Sequence, residues 1–427
     1  MKYITENERR IPVIREVDVL VLGGGPAGIG AAVAAAREGA VTMLAEQTGD
    51  VGGIATTGLM SHWTGKTEGG LYEEILSRSA ELTGKGRQII NPERLKTIFL
   101  RMLTEAGVYL RLYSFASDVI MNDHVIQGVV LESKSGREAV LAKIVIDATG
   151  DGDIAAKAGA PYFKGRESDG LMQPATIMFK VAGVDEERAV FPGGFEESFS
   201  LPDGDLQELG KKYLPSPAGH VLLYRTTLPG IVTCNMTNCT GVDGTNVEDL
   251  TKATLVCREQ MDDIVAFLNR YVPGFENCYI ISSASLMGIR ETRHFKGEET
   301  ITEQDILEAR VFDNWVVTKA NFNFDVHNLT GNGLDETGCQ KHFPQINGYT
   351  IPYGCFVPLK IDNLYLAGRN ISGTHMAHSN YRVMPICVNM GQAVGIAAAM
   401  CAASEVVPRF LEVKKVQNRL MELGVSP

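Results

Sequence analysis

Gly23, Gly25 and Gly28, in the stretch LGGGPAGIG, have the spacing GxGxxG, and Glu46 follows 18 residues after the last of them. These residue types at this spacing suit the pyrophosphate and ribose of a dinucleotide. Gly23 permits a tight turn, Gly25 lets the backbone approach the phosphates, and Gly28 lets a helix lie close to a sheet. Pro26 and Ala27 open that helix, whose N-terminus offers unpaired N–H groups and a positive dipole end. Glu46 is placed to accept hydrogen bonds from ribose hydroxyls. Glycine spacing alone occurs in many loops, so the flanking elements carry the weight. VDVLVLG reads as a buried parallel strand, PAGIGAAVAAAREG as a small-residue helix, and AVTMLAE as a second strand ending at Glu46. NAD and FAD both use this unit, and the unit by itself does not choose between them.

Further stretches carry residues able to act on a ligand. Gly52 and Gly53 follow Glu46 closely and begin a run of glycines and threonines. IVIDATGDGDIA places Thr149 and Gly150 after another apolar strand, and NLYLAGRNISG places Gly368 and Arg369 after a third. A small-residue helix, MPICVNMGQAVGIAAAMCAA, follows, with Gly391 and Gly395 suited to close packing. Before it, GTHMAHSNYRVMP holds His375, His378, Tyr381 and Arg382, a loop with proton-exchanging and anion-binding side chains. GIRETRHFKGEE holds Arg290, Glu291, Arg293 and His294; its arginines suit bidentate recognition of a carboxylate, or an ion-pair network with Glu291 across a domain interface. The candidate catalytic residues are therefore His378, Arg382, Arg290 and His294. His62 and the DVHN stretch at 325–328 are further polar candidates.

The elements between these stretches give the frame. NPERLKTIFLRMLTE reads as a helix with Leu95, Phe99, Met102 and Leu103 on one stripe. Strands separated by Asn122-Asp123 and Ser135-Gly136 turns then form a β-meander that returns to the parallel sheet at Asp147. In the middle of the chain, ATIMFKVAGV and two strands around Pro229-Gly230 precede a long helix from near Val247 to Tyr271, capped by Asn246. The tail LEVKKVQNRLMELGV reads as a surface helix.

A net charge of −11 without a Lys/Arg cluster argues against a nucleic-acid groove. No run of about 18 consecutive apolar residues and no signal-peptide pattern is seen, so no membrane partner and a cytoplasmic protein are expected. Eight scattered cysteines indicate free thiols. Cys234 and Cys239 lack a second pair at matching spacing, so no metal is expected.

The ordered set of GxGxxG with its ribose acid, the returning ATG strand and the late AGR strand feeding a glycine/alanine helix resembles the two-domain FAD-binding fold. More closely, GGIATTGLMSHWTG, IDATGDGDIAAKAGAP, MQPATIMFKVAGVD, GIRETRHFKGEETITEQDI and LYLAGRNISGTHMAHSNYRVMPICVNMGQAVGIAAAM resemble the bacterial FAD-dependent oxidoreductase family related to heterodisulfide reductase A and, more distantly, to the fumarate reductase flavoprotein. The resemblance runs from about residue 11 to 405 and implies FAD as cofactor. It implies an α/β protein: a discontinuous Rossmann-like FAD-binding domain of parallel sheet and β-meander (11–165 and 345–410), an α+β substrate domain of mostly antiparallel sheet (166–344), and a tail helix (411–427). In the family, the helix after NYRVMP meets the flavin ring. The resemblance implies little about the substrate; the activity expected here is that of a dehydrogenase or reductase acting on a small polar substrate, whose carboxylate Arg290 and Arg293 would clamp, with an external electron carrier, as a homodimer. An oxygen-using hydroxylase or oxidase, and a non-catalytic binding protein, share the fold. The cysteine spacing for an iron–sulfur cluster, a second glycine fingerprint for NAD(P)H and a CxxC are all missing.

Overall fold

Strand β1 (Val13–Leu22) carries the apolar run, and its residues Val19–Leu22 are fully buried. Buried on both faces, such a strand needs parallel neighbours and helices above and below. The computed structural model describes residues 2–5, 8–83, 88–192, 197–333 and 348–427. In it β1 is followed by α1 (Pro26–Arg37), β2 (Thr42–Ala45), α2 (Gly70–Thr83), α3 (Pro92–Glu105), β3 (Tyr109–Arg111), β4 (Phe115–Asn122), β5 (Val125–Ser133), β6 (Gly136–Asp147) and α4 (Asp153–Lys157). Strands β3, β2, β1 and β6 lie side by side and parallel. β6 also turns back antiparallel on β5, and β5 on β4, which is the expected meander. The chain leaves β6 beside β1, with Asp147 opposite Leu22.

The middle of the chain builds a second apolar core. After β7 (Tyr162–Lys164) come β8 (Phe179–Ala182), the short hairpin β9 (Ser200–Leu201) and β10 (Gly204–Asp205), α5 (Leu206–Tyr213), β11 (Leu223–Arg225), β12 (Val232–Cys234), α6 (Val247–Tyr271) and β13 (Tyr279–Ser283). An antiparallel sheet in the order β11-β12-β8-β13 packs with α6, which buries Cys257, Met261, Ile264 and Leu268. The α6 boundaries match the sequence reading, and the Asn246 side chain accepts the Glu248 N–H as its cap. ATIMFKVAGV is strand only over β8, because Ala175 and Thr176 pair singly with Cys239 and Gly288 instead.

The chain rejoins the first core at β14 (Arg293–Phe295) and continues through α7 (Glu303–Leu307), β15 (Trp315–Ala320), β16 (Tyr349–Pro352), β17 (Leu364–Leu366), α8 (His375–Tyr381), α9 (Met384–Ser404) and α10 (Val413–Glu422). β17 runs parallel to the end of β6. The 344/345 domain boundary and Cys339 lie outside the described residues. The described cysteines are free and buried. Several elements have no counterpart in the sequence reading, among them α2, α5, β13 and β15, and the stretch read as a loop at 375–381 is the helix α8, capped by the Thr374 hydroxyl. The tail helix is less superficial than expected, since Gln417 donates from its amide to the carbonyls of Asp313 and Trp315.

Helix α9 is apolar and long enough to cross a membrane, yet 89% of its most apolar window is buried inside the protein. It lies against α1 backbone to backbone. A Cβ on Gly391 would sit 1.9 Å from the Ala27 carbonyl oxygen, one on Gly395 2.3 Å from that of Ala31, and one on Gly30 2.3 Å from that of Val388. Ala27 facing Gly391 and Ala31 facing Gly395 make the helices parallel, with α9 extending six residues, or roughly 9 Å, beyond the start of α1. Gly391→Ala therefore forces the helices apart at a cost of about 1–3 kcal/mol. We expect a lower urea midpoint and substoichiometric cofactor in the purified variant; an unchanged midpoint would show that the contact is slack.

Candidate active site and cofactor cleft

A cleft of about 1360 Å³ opens between the two cores, and the first residues of both α1 and α9 line it. At α1, Gly25 is the extended capping residue. No side chain caps this end and no acid sits in the first turn, so its N–H groups remain available. A Cβ on Gly25 would meet open space. Gly23 has φ +93°, and a Cβ there would lie 2.4 Å from the Ala148 carbonyl oxygen, so only glycine makes this turn. Glu46 Oε2 accepts the Gly24 N–H at 2.7 Å, while Oε1 accepts the Thr48 N–H at 2.8 Å and its hydroxyl at 2.9 Å. The carboxylate is thereby locked at the rim of the cleft.

The opposite wall is set by Asp147. This fully buried carboxylate, pushed up to about 6 by burial, accepts the Thr149 hydroxyl at 2.7 Å and the N–H groups of Ile154 and Ala155 at 2.9 and 2.7 Å. It fixes the turn that brings Thr149 and Gly150 to the cleft. Gly368 and Arg369 line the same wall, Arg369 donating through Nη2 to Asp151 Oδ1 at 3.0 Å. Arg369 Nη1 is buried and has no hydrogen-bond partner among the described residues. Pro26, Ala27 and Gly53 complete this end. Gly28 and Gly391, whose places in the sequence suit close packing, and Gly52, counted with them as cofactor-binding candidates, do not line the cleft. Gly28 packs under the Gly23 carbonyl, Gly52 sits against Thr56 and Phe99, and Gly391 lies on α1. Their absent side chains permit the scaffold to close.

Beyond α9's uncapped start at Val383 and Met384 the cleft turns polar. Arg290 donates through Nη1 to the Pro174 carbonyl at 2.6 Å. Burial, then the neighbouring Arg382, pushes its guanidinium down to about 10. Arg382 donates through Nη2 to the carbonyl oxygen and Oδ2 of Asp325, both at 2.9 Å. Burial alone would raise the Asp325 carboxyl, but His327 and the two arginines hold it below the usual carboxylate range. His327 is pushed down to about 4 by burial and by Arg290, so it is neutral near pH 7. His62, lowered by burial, lines the same end and meets Tyr224 edge-on at 4.7 Å. Two guanidiniums thus stand near one carboxylate at this end of the cleft.

Of the four expected catalytic residues, the structure brings Arg290 and Arg382 into the cleft and leaves His294 and His378 behind its wall. These histidines are 0% and 1% exposed, and with His375 they surround Glu291. Glu291 Oε1 lies 2.8 Å from His294 Nε2 and 2.6 Å from His375 Nδ1. The anticipated Arg–Glu291 network is therefore a His–Glu291 network, because Arg293 turns instead to Asp153 at 2.9 Å and to the Asp151 carbonyl. Sequence reasoning placed Asp325 and His327 only as polar candidates. Tyr224, Asn235 and Thr176, from the second core, carried no local signal.

FAD fits this cleft. The uncapped α1 end and the open space at Gly25 would take the pyrophosphate, Glu46 the ribose, and Arg369 Nη1 a cofactor oxygen, while the α9 end would face the flavin. Replacing Glu46 by Gln removes the charge from its hydrogen bonds and should weaken FAD about 10–100-fold in fluorescence titration of apoprotein. Gly25→Ala should likewise lose FAD while its unfolding free energy in urea stays within about 1 kcal/mol of the parent. FAD affinity unchanged in both variants would refute this placement.

The described architecture agrees with known proteins. The solved structure of a geranylgeranyl bacteriochlorophyll reductase-like protein from Thermoplasma acidophilum superposes with TM-score 0.51 at 14% identity, covering 96% of this chain and 84% of that one. The structure of CabE, an aromatic hydroxylase from angucycline biosynthesis, gives 0.48 at 11% identity over 91% of this chain and 63% of that one. In sequence, digeranylgeranylglycerophospholipid reductase 2 of Methanopyrus kandleri is 31% identical over 216 residues, 44% of this chain and 53% of that protein. The chain thus spans about half the length of this curated relative. These three are named as reductases or a hydroxylase, and none as a heterodisulfide reductase. The family model described as FAD dependent oxidoreductase matches residues 18–420. The chain belongs to the FAD dependent oxidoreductase family, and FAD is its cofactor.

Proposed function

We propose that the protein is a dehydrogenase or reductase acting on a small, polar, carboxylated substrate held at the α9 end of the cleft, with an external electron carrier. The observation behind this reading is Arg290. Its side chain is half-buried at the cleft wall, and among the described residues no carboxylate lies within ion-pair distance of it. With Arg382 already engaged by Asp325, the pocket holds one positive charge in excess. A buried charge is costly unless paired, so a carboxylate on the ligand supplies the missing partner.

Bound FAD supplies two-electron chemistry at its ring system. The chain's own residues bind and orient. Arg290 holds the anionic end of the substrate, and Asp325 keeps Arg382 in place from two oxygens. The uncapped N-terminus of α9 presents its positive dipole end to the flavin side of the cleft and stabilises negative charge there. A homodimer in the cytoplasm, without nucleic-acid or membrane partners, completes the reading.

The test uses the FAD-loaded protein, titrated anaerobically with acetate, oxalate and succinate and with their amides. We expect carboxylates, and not amides, to perturb the flavin spectrum saturably. Arg290→Met, close in volume and uncharged, should weaken that binding about 10–100-fold with FAD content unchanged. Flavin that responds to a digeranylgeranyl glycerophospholipid and to no carboxylate would overturn the proposal in favour of the activity named for the Methanopyrus relative.

A further inference from the structure

We propose that Glu291, His294 and His378 hold a divalent transition-metal ion, of the Zn²⁺ class, in the wall behind the two cleft arginines. The three side chains come from two separate segments, the strand region at 291–295 and helix α8. One ligand atom from each lies within 4.8 Å of the others, and all three residues are buried. Two imidazole nitrogens and a carboxylate oxygen are a donor set suited to first-row divalent ions.

Two independent features point to a ligand rather than to ordinary packing. The first is polar accounting. His294 Nδ1 and His378 Nδ1 are both buried with no hydrogen-bond partner among the described residues. An unmet polar atom in the interior is costly, and these two sit on rings whose centroids are 4.8 Å apart. A cation bound through the His378 nitrogen removes that cost there, with His294 offering Nε2, the atom that already lies 2.8 Å from Glu291 Oε1. The second is charge. Glu291 is fully buried, and among the described residues no Arg or Lys is bonded to it: its partners are His294, His375 and the Gln173 N–H at 3.1 Å. This interior carboxylate has only imidazoles and one backbone N–H around it, and a divalent ion neutralises its charge.

The surroundings resemble the outer layer of a metal site. His375 Nδ1 contacts the Glu291 oxygen and would orient it. Phe163 stacks on the His294 ring at 4.9 Å with planes 7° apart, and Tyr381 meets His378 edge-on at 5.6 Å. Bonds of about 2.0–2.2 Å to a shared ion put ligand atoms about 3–3.5 Å apart, so the side chains close on it by small rotations. Arg290 directly precedes one ligand, and Arg382 directly follows the helix that carries another. The ion would therefore fix both guanidiniums from behind.

Because the cluster is sealed, the ion enters as the chain folds. The FAD-loaded protein is therefore produced in minimal medium supplemented with Zn²⁺ or with Co²⁺ and assayed by mass spectrometry for metal. We expect about one ion per chain, visible d–d bands in the cobalt form, and imidazole scattering in X-ray absorption at the zinc edge. Glu291→Gln and His378→Gln should each lower the metal content about tenfold or more while FAD content is retained. Less than about a tenth of an equivalent of any transition metal in the parent protein overturns the proposal. So does a variant that folds, binds FAD and keeps its metal. If both variants fail to fold, the zinc-edge spectrum of the parent decides, and a spectrum without imidazole scattering overturns the site. Carboxylate titration of the flavin is independent of these outcomes, so this inference and the substrate reading fail separately.

Discussion

The contact between α1 and α9 sets the positions of everything that follows. Gly30, Gly391 and Gly395 let two buried helices touch through their backbones, where any Cβ would strike a carbonyl oxygen. Such an approach fixes the relative height of the helices more tightly than interdigitated side chains do, because the carbonyl oxygens have little room to yield. Parallel and offset, the two helices present two positive N-terminal ends to one cleft. One end stands beside Glu46 and the other beside Arg382. A long cofactor with a phosphate end and a redox end matches that spacing, and a single dinucleotide turn would not create it.

The second constraint is electrostatic. Arg290, Arg382, Asp325 and His327 are half-buried together at the cleft wall, so each group's state depends on the others. His327 stays neutral near pH 7, which leaves Asp325 alone against two guanidiniums. In a low-dielectric pocket such an imbalance is more costly than on the surface, where water and salt would screen it. A ligand anion settles it. The neighbouring Glu291 cluster shows the opposite imbalance, a carboxylate among histidines, and is walled off from the cleft by the turn of chain that carries Arg290.

Legibility in the sequence follows the range of the interactions. The strand–turn–helix around Gly23 and the capped helix α6 are local, and their boundaries are readable from composition and caps. The meander is readable from its turns. Gly28, Gly52 and Gly391 stand out in the sequence as special, but the reason is packing: a missing side chain looks the same in sequence whether a ligand or another helix approaches. Helix α8 is hidden because its seven residues include two histidines, a serine and an asparagine, weak helix formers whose burial in the fold overrides propensity. The pairing of Glu291 with three histidines instead of its neighbouring arginines is not legible at all. His375 and His378 lie more than eighty residues away, and the closer Arg293 is drawn off by Asp153 from a third segment.

That division of labour explains why the cofactor end is recognisable and the substrate end is not. The cofactor wall is made by β1, β6, β17 and the helices that follow them, elements of one sheet whose register places their turns together. Any chain with this sheet must bring Gly23, Thr149 and Gly368 to one edge. The substrate wall mixes Arg382 from the first core with Tyr224, Asn235 and Thr176 from the second, so it depends on how the two cores meet. Arg290 sits between them, anchored to the Pro174 carbonyl at the beginning of the second core. Changing the second core alone would alter what binds there while leaving the sheet, the two helix ends and the cofactor in place.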